Sequence, residues 1–403
     1  MSTTHPLQNP ADAFMQHPED ALRRARWAVA AIFFANGTVI GTWAAHIPLA
    51  EARLAISHST LGLALLTMAL GALIAMPLGG AAIGRFGSAR VTRAATIALL
   101  PAFLVPLTAP NPAIFIGSLL VFGAANGILD VAMNAHGVVV EQRLRRPIMS
   151  SLHGMWSLGG LVGAGLAAAL LPLMPPVAQA LLTLLLIGAA SAAALFFLLP
   201  AGADAGNGGA AFAWPNRLTI GLGILCFLCM TAEGAVVDWS ALHLQGSLRL
   251  DPGPAATGFA AFSACMAAAR FGGDWLRARI GAIVLVRGSA FLAAAGLLIA
   301  LVVPAPSVAI FGYALAGLGL ANLVPVFFGA AGRIQGQATG TAIASVATMG
   351  YTGFLVGPPL IGFIADATTL PLALGVIVLS CLAVGVAASA VAPAERSALA
   401  EAG

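Results

Sequence analysis

Three polar side chains, Asn126, Asp130 and Asn134, interrupt an apolar run at intervals of four within FGAANGILDVAMNAHGVVVEQ (122–142). On an α-helix that spacing puts all three on one face. Such a face offers a carboxylate flanked by two amides, groups able to hold and release a proton or to hydrogen-bond a hydroxylated solute. Asp130 lies eleven residues before Glu141, which at ~1.5 Å per residue is ~16 Å from that end of the run. That depth is about the middle of a ~30 Å hydrocarbon core. A carboxylate there is costly unless it meets water or a partner, which marks it as a functional site.

Only two other acids fall well inside apolar runs, Glu233 and Asp238, both in AEGAVVDWSA (232–241). Glu233 is sixteen residues beyond Arg217, ~24 Å along a helix, and is a second candidate for proton coupling or solute binding. Asp238 lies further out and reads as a gate or cap. Asn36 occupies the place in the first span that Glu233 takes in the seventh, with Trp43 and Trp239 in near register. Asn126 and Asn322 follow matching Gly-rich entries, GAAN and GLAN. Amides at such depth either bind a polar solute or tie helices together. His153 and Trp156, one turn apart, add an imidazole that titrates near ~6.5 when unperturbed and an indole able to stack on a ring. Each also has a plain packing reading.

Composition sets the frame for these residues. The 403 residues are 60% hydrophobic and 8% charged, against about 25% charged in a soluble domain. All 18 basic residues are arginine, scattered over short loops rather than gathered on one face, which excludes a nucleic-acid footprint. Cys226, Cys229, Cys265 and Cys381 lie in apolar runs and read as small hydrophobes, not as a disulfide framework or a metal set. No phosphate-binding loop is present, and Gly159-x-x-x-Gly163 and Gly353-x-x-x-Gly357 are close-packing signals between helices. No cofactor is implied.

Hydropathy places twelve spans at about 27–49, 59–83, 91–109, 113–139, 149–171, 177–199, 217–242, 255–276, 283–303, 307–331, 340–364 and 370–391. The expected fold is an all-α polytopic membrane protein. A polar tail (1–24) precedes six helices (25–199), a Gly/Ala/Asn-rich linker (200–216), six more helices (217–392) and a second tail (393–403). Arg53 and Arg249 alone fall in segments opposite the N-terminus, and the other sixteen arginines put both termini in the cytoplasm. An offset of 194 pairs Gly79 with Gly273, Arg85 with Arg279, Gly87 with Gly281, Ser151 with Ser345 and Gly159 with Gly353. The halves therefore read as a parallel six-helix repeat, a plan that puts the site at their interface near the midplane. Pro325, Pro358 and Pro359 should bend or unwind spans 10 and 11.

Twelve spans in a 6+6 repeat with a Gly/Arg loop after spans 2 and 8 resemble the major facilitator superfamily. The loop Gly80-Ala-Ala-Ile-Gly84-Arg85-Phe86-Gly87-Ser-Ala-Arg90 keeps that family's glycines and arginines but has Gly84 where Asp is usual. The second copy, around Gly273, Arg277, Arg279 and Gly281, carries its acid early, at Asp274. The resemblance implies gate or conformational roles for Arg85, Gly87, Asp274 and Arg279. Asp130-Val-Ala-Met-Asn134, LHGMWSLGGLVGAG (152–165), AEGAVVDWSA (232–241) and GYTGFLVGPPLIG (350–362) resemble the sugar-permease, fucose permease-like branch and its bacterial inner-membrane relatives. That branch's acid in the first span is absent here, where Asn36, Thr38, Thr42 and Trp43 stand instead.

The expectation is a monomeric secondary carrier in the bacterial inner membrane that moves a small polar solute, coupled to protons, by alternating access. The alternatives are a proton-driven exporter of amphipathic compounds and a membrane sensor that does not transport. An enzyme is disfavoured, since no metal cluster or nucleophile set shares one depth.

Overall fold

The computed structural model describes residues 18–145, 148–200, 216–217, 219–334 and 339–391; residues 1–17 of the first expected tail, the second tail and most of the expected linker lie outside them. Among the described residues every regular element is helical. The first half comprises α1 (Pro18–Leu54), α2 (His58–Phe86), α3 (Ser88–Thr108), α4 (Pro112–Leu144), α5 (Met149–Leu170) and α6 (Pro176–Leu195). The second comprises α7 (Ile220–Leu242, extended by a π-helical turn), α8 (Pro252–Ile280), α9 (Ala282–Val302), α10 (Pro306–Ala331), α11 (Thr339–Ala367) and α12 (Leu370–Val386). Eleven of the twelve are long and apolar enough to cross a membrane. The remaining one, α8, is 29 residues long. Its opening Pro-Gly-Pro and its arginines 270, 277 and 279 lower its hydropathy.

Two features refine the helix limits, and the second is the unwinding expected from Pro325. Helix α1 starts at Pro18, well before residue 25, because Glu19 and Asp20 favour the positive end of a helix and extend it into the polar segment. Span 10 is not one helix. It breaks at Ala321 and Asn322, between Pro306–Leu320 and Leu323–Ala331. Pro325 has no N–H to give the carbonyl four residues back, so Ala321 loses its helical partner. By contrast α11 runs unbroken through Pro358 and Pro359.

Packing repeats between the halves. In the first, α1 lies on α5 and α2 on α4; in the second, α7 lies on α11 and α8 on α10. The halves meet through α5 against α8 and α2 against α11, which are equivalent pairs under the repeat. Glycine sets the closest approaches. A Cβ at Gly37 or Gly41 would strike the carbonyls of Trp156 and Gly160, and one at Gly159 or Gly163 would strike those of Phe34 and Thr38. Without strong hydrophobic attraction between helices in lipid, this backbone-to-backbone contact is what holds them together. The seam at Gly353 is looser, against Phe227 and Thr231, and Gly357 makes only ordinary contact.

Gly87 and Gly281 form the turns after α2 and α8, with φ of 83° and 77°, and their N–H groups bond back to Ile83 and Arg277. Positive φ explains why glycine recurs at both places in the repeat. Large apolar side chains such as Ile74, Leu185, Phe311 and Leu379 are exposed around the outside, as a lipid-facing surface requires.

Candidate functional site

Between the halves lies a cavity of about 580 Å³. Spacing along each helix explains how it is lined. Phe33, Asn36, Ile40 and Trp43 recur at helical intervals on α1, and Met230, Glu233, Gly234, Val237 and Asp238 do so on α7. One end is sealed. There Asp366, near the end of α11, accepts the backbone N–H groups of His58 and Ser59 at 3.1 and 2.9 Å, capping the start of α2 from the other half. Gly62 of α2 rests on the Pro358 carbonyl, and Gly362 on that of His58. Glu51 pairs with His58, whose ring stands edge-on to Trp239 at 5.9 Å. At the opposite end the lining reaches Met76, Met149, Arg277 and Phe328, close to the ends of their helices.

Two hydrogen-bonded groups occupy the polar wall. In the first, Asn36 on α1 donates to Asn126 Oδ1 on α4 at 2.8 Å, and its own Oδ1 accepts from Trp156 Nε1 on α5, also at 2.8 Å. Three helices are thus joined through one amide. In the second, Asp130 Oδ2 accepts from the Tyr351 hydroxyl at 3.2 Å, while Oδ1 accepts from Asn134 at 3.2 Å. Tyr351 is on α11, so this bond crosses between the halves. The rest of the lining is largely apolar and rich in methionine, with Met68, Met76, Met133 and Phe354 among its members.

Glu233 is not free. It forms an ion pair with Arg270 Nη2 at 3.3 Å, with side chains 11% and 9% exposed. Arg270 Nη1 donates across the interface to Ser157 Oγ on α5 at 2.7 Å, and its Nε reaches the Ala321 carbonyl at 3.4 Å. That carbonyl is the one released by Pro325, so the broken helix supplies an acceptor to a buried cation. Asn322, beside the break, donates to the Ala269 carbonyl at 3.3 Å.

All the cavity residues expected from the sequence line this space: Asn36, Trp43, Asn126, Asp130, Asn134, His153, Trp156, Glu233 and Asn322. His153 packs its ring edge-on to Phe33 at 5.3 Å. Asp238, expected as a gate, also lines the cavity at its sealed end. Arg85, Gly87 and Arg279 stand apart from it, at the turns after α2 and α8. The Arg85 guanidinium lies 5.2 Å from the Phe86 ring and that of Arg279 4.2 Å from Trp275. Of Asp274, only its place in α8 is described. Sequence reasoning missed Arg270 and Tyr351. It counted Arg270 with the cytoplasmic arginines, although the expected span 255–276 contains it. The residue lies eleven before Gly281, the same ~16 Å depth that singled out Asp130, and that count was the available signal.

A family model of the Major Facilitator Superfamily matches residues 27–351. The chain belongs to that superfamily. An uncharacterized MFS-type transporter of Yersinia pestis is 37% identical over 360 residues, 89% of this chain and 94% of the relative. The membrane protein MosC of Rhizobium meliloti is 36% identical over 368 residues, 89% and 87% of the two chains. Among solved structures, a variant of the nucleoside transporter NupG superposes with a TM-score of 0.71 at 13% identity, covering 91% of this chain and 99% of its own. The E. coli fucose:proton symporter FucP gives 0.61 at 17%, covering 90% and 97%. At such identities the last two establish the fold alone. This major facilitator protein is a multi-pass membrane transporter, not an enzyme.

Proposed function

We propose that this transporter moves a small polar, hydroxylated solute across the bacterial inner membrane by alternating access, with proton movement coupled through Asp130. The observation that carries this reading is the Tyr351–Asp130 hydrogen bond at 3.2 Å. It places the membrane-embedded carboxylate on the seam between two halves that must move apart. Loading or releasing a proton at Asp130 changes what Tyr351 can bond to, and so biases one packing of the halves over the other. The Asn36–Asn126–Trp156 group supplies donors and acceptors for a hydroxylated ring, and Trp156 a surface to stack on. Glu233 acts with Arg270 as a fixed pair and is the weaker coupling candidate. With both termini in the cytoplasm, the sealed end faces outward and the structure is inward-facing. The carrier works as a monomer in the lipid bilayer, with no cofactor.

A second reading, proton-driven export of amphipathic compounds, is favoured by the methionine-rich apolar wall. One assay separates them. Purified protein in proteoliposomes is challenged with sugars, nucleosides and amphipathic amines while internal pH is recorded. Symport predicts a solute-triggered proton movement in the same direction as the solute, abolished in Asp130→Asn. Opposite movements would favour export. Solute counterflow with no proton movement in the wild type would remove coupling from Asp130.

A further inference from the structure

Among the described side chains, each carboxylate around the cavity has a partner except one. Asp130 is held by Tyr351 and Asn134, and Glu233 by Arg270. At the sealed end, Glu51 is taken by His58 and Asp366 caps α2. Asp238 lines the cavity yet meets no donor and no cation among the described residues. Five residues after Glu233, at the other edge of the stripe that α7 turns to the cavity, it sits ~7.5 Å deeper toward the sealed end. Opposite it in the repeat, on α1, Trp43 also lines this space. It is 1% exposed and its indole N–H has no hydrogen-bond partner.

Among the described residues no cation pairs with Asp238; His58, at the same end, is taken by Glu51. Arg270 is committed to Glu233, Ser157 and the Ala321 carbonyl. Arg277 is seven residues further along α8, toward the other end of the cavity. His153 lies at the start of α5, likewise remote from the sealed end. A carboxylate that faces the cavity without a protein donor or cation is met by a cationic ligand.

We propose that the sealed end of the cavity, where Asp238 and Trp43 line it from opposite halves, recognises a protonated amine. This rests on the transport reading above and narrows its substrate class: the solute is a hydroxylated compound carrying an ammonium group. The ammonium meets the Asp238 carboxylate, and the Trp43 ring bounds the space from the other half. Asn36 lies seven residues before Trp43 on the same stripe, ~10 Å away, so a single ring with its substituents spans both points.

The test uses full-length protein in detergent and matched probes that differ in one amine: glucose with glucosamine, galactose with galactosamine, and phenylethanol with phenylethanolamine. Thermal stabilisation and equilibrium affinity are measured for the wild type, Asp238→Asn and Asp238→Glu, with each unliganded melting temperature as the folding control. The expected result is stabilisation by at least one aminated probe, with affinity at least tenfold above its neutral counterpart. Asp238→Asn loses that preference and Asp238→Glu keeps it. Equal binding of both members of every pair, binding of neutral probes alone, no binding of any aminated probe, or an amine preference that survives in Asp238→Asn overturns the proposal. Proton-coupled flux of a neutral solute that is undiminished in Asp238→Asn but lost in Asp130→Asn overturns this inference while leaving the transport reading intact.

Discussion

Neutralising Arg270 should harm the protein far more than neutralising its whole ion pair. Arg270→Gln leaves Glu233 as a charge that is 11% exposed, with its only cation removed. Breaking a buried pair by taking away one partner costs about 3–5 kcal/mol, whereas replacing both with neutral groups is often near neutral. The adjoining cavity admits water, so the lower value, about 3 kcal/mol, applies, or roughly a hundredfold in the affected equilibrium. Two further bonds go with the guanidinium, those to Ser157 and the Ala321 carbonyl. The double variant Glu233→Gln/Arg270→Gln removes the stranded charge and can restore an amide–amide contact. A double-mutant cycle on thermal melts in detergent reads the result. Both single variants should melt well below the wild type, and the double variant above Arg270→Gln. A double variant that melts no higher than Arg270→Gln, with the two single effects simply adding, would refute the reasoning that the pair is held by mutual compensation.

Gly37→Leu should abolish folded expression, because any Cβ there meets the Trp156 carbonyl, while Gly165→Leu, with open space around it, should express normally. Size-exclusion profiles of the two variants check this. Asn36→Ala strands Trp156 Nε1 and Asn126 at once and should cost about 1–2 kcal/mol, seen as a lower melting temperature with transport reduced but the fold retained. Asp366→Ala removes the cap that crosses from α11 to α2 and should destabilise the sealed state by about 1 kcal/mol. Spin-label distances between the starts of α2 and α12 would report the shift toward the opened form.

Much of this fold is written in local pattern. Twelve apolar runs and the Gly-x-x-x-Gly seams depend on residues close in sequence, the 194-residue repeat shows as a direct match between such local patterns, and the helices lie along those runs. The face of α4 was legible for the same reason, since Asn126, Asp130 and Asn134 need only one helix to be aligned. What could not be read is what one helix offers another. Tyr351 meets Asp130 across 221 residues, a contact set by how the halves pack and not by any motif. Arg270 was counted with the cytoplasmic arginines because it lies near the end of its apolar run, 255–276, and a charge count carries no depth. The structure keeps it inside by assembling an acid, a hydroxyl and a freed carbonyl around it. The break in α10 was legible in kind from Pro325 but not in place, which is four residues earlier, at the carbonyl the proline leaves unbonded.

The most direct test of alternating access is to lock the sealed end. A Ser59→Cys/Asp366→Cys pair joins the start of α2 to the end of α11, where the two are in hydrogen-bond contact. Solute flux is measured in proteoliposomes before cross-linking with a short thiol-reactive linker, after it, and after reductive release. Alternating access predicts that flux stops on cross-linking and returns on release. Undiminished flux through protein shown to be fully cross-linked would contradict it.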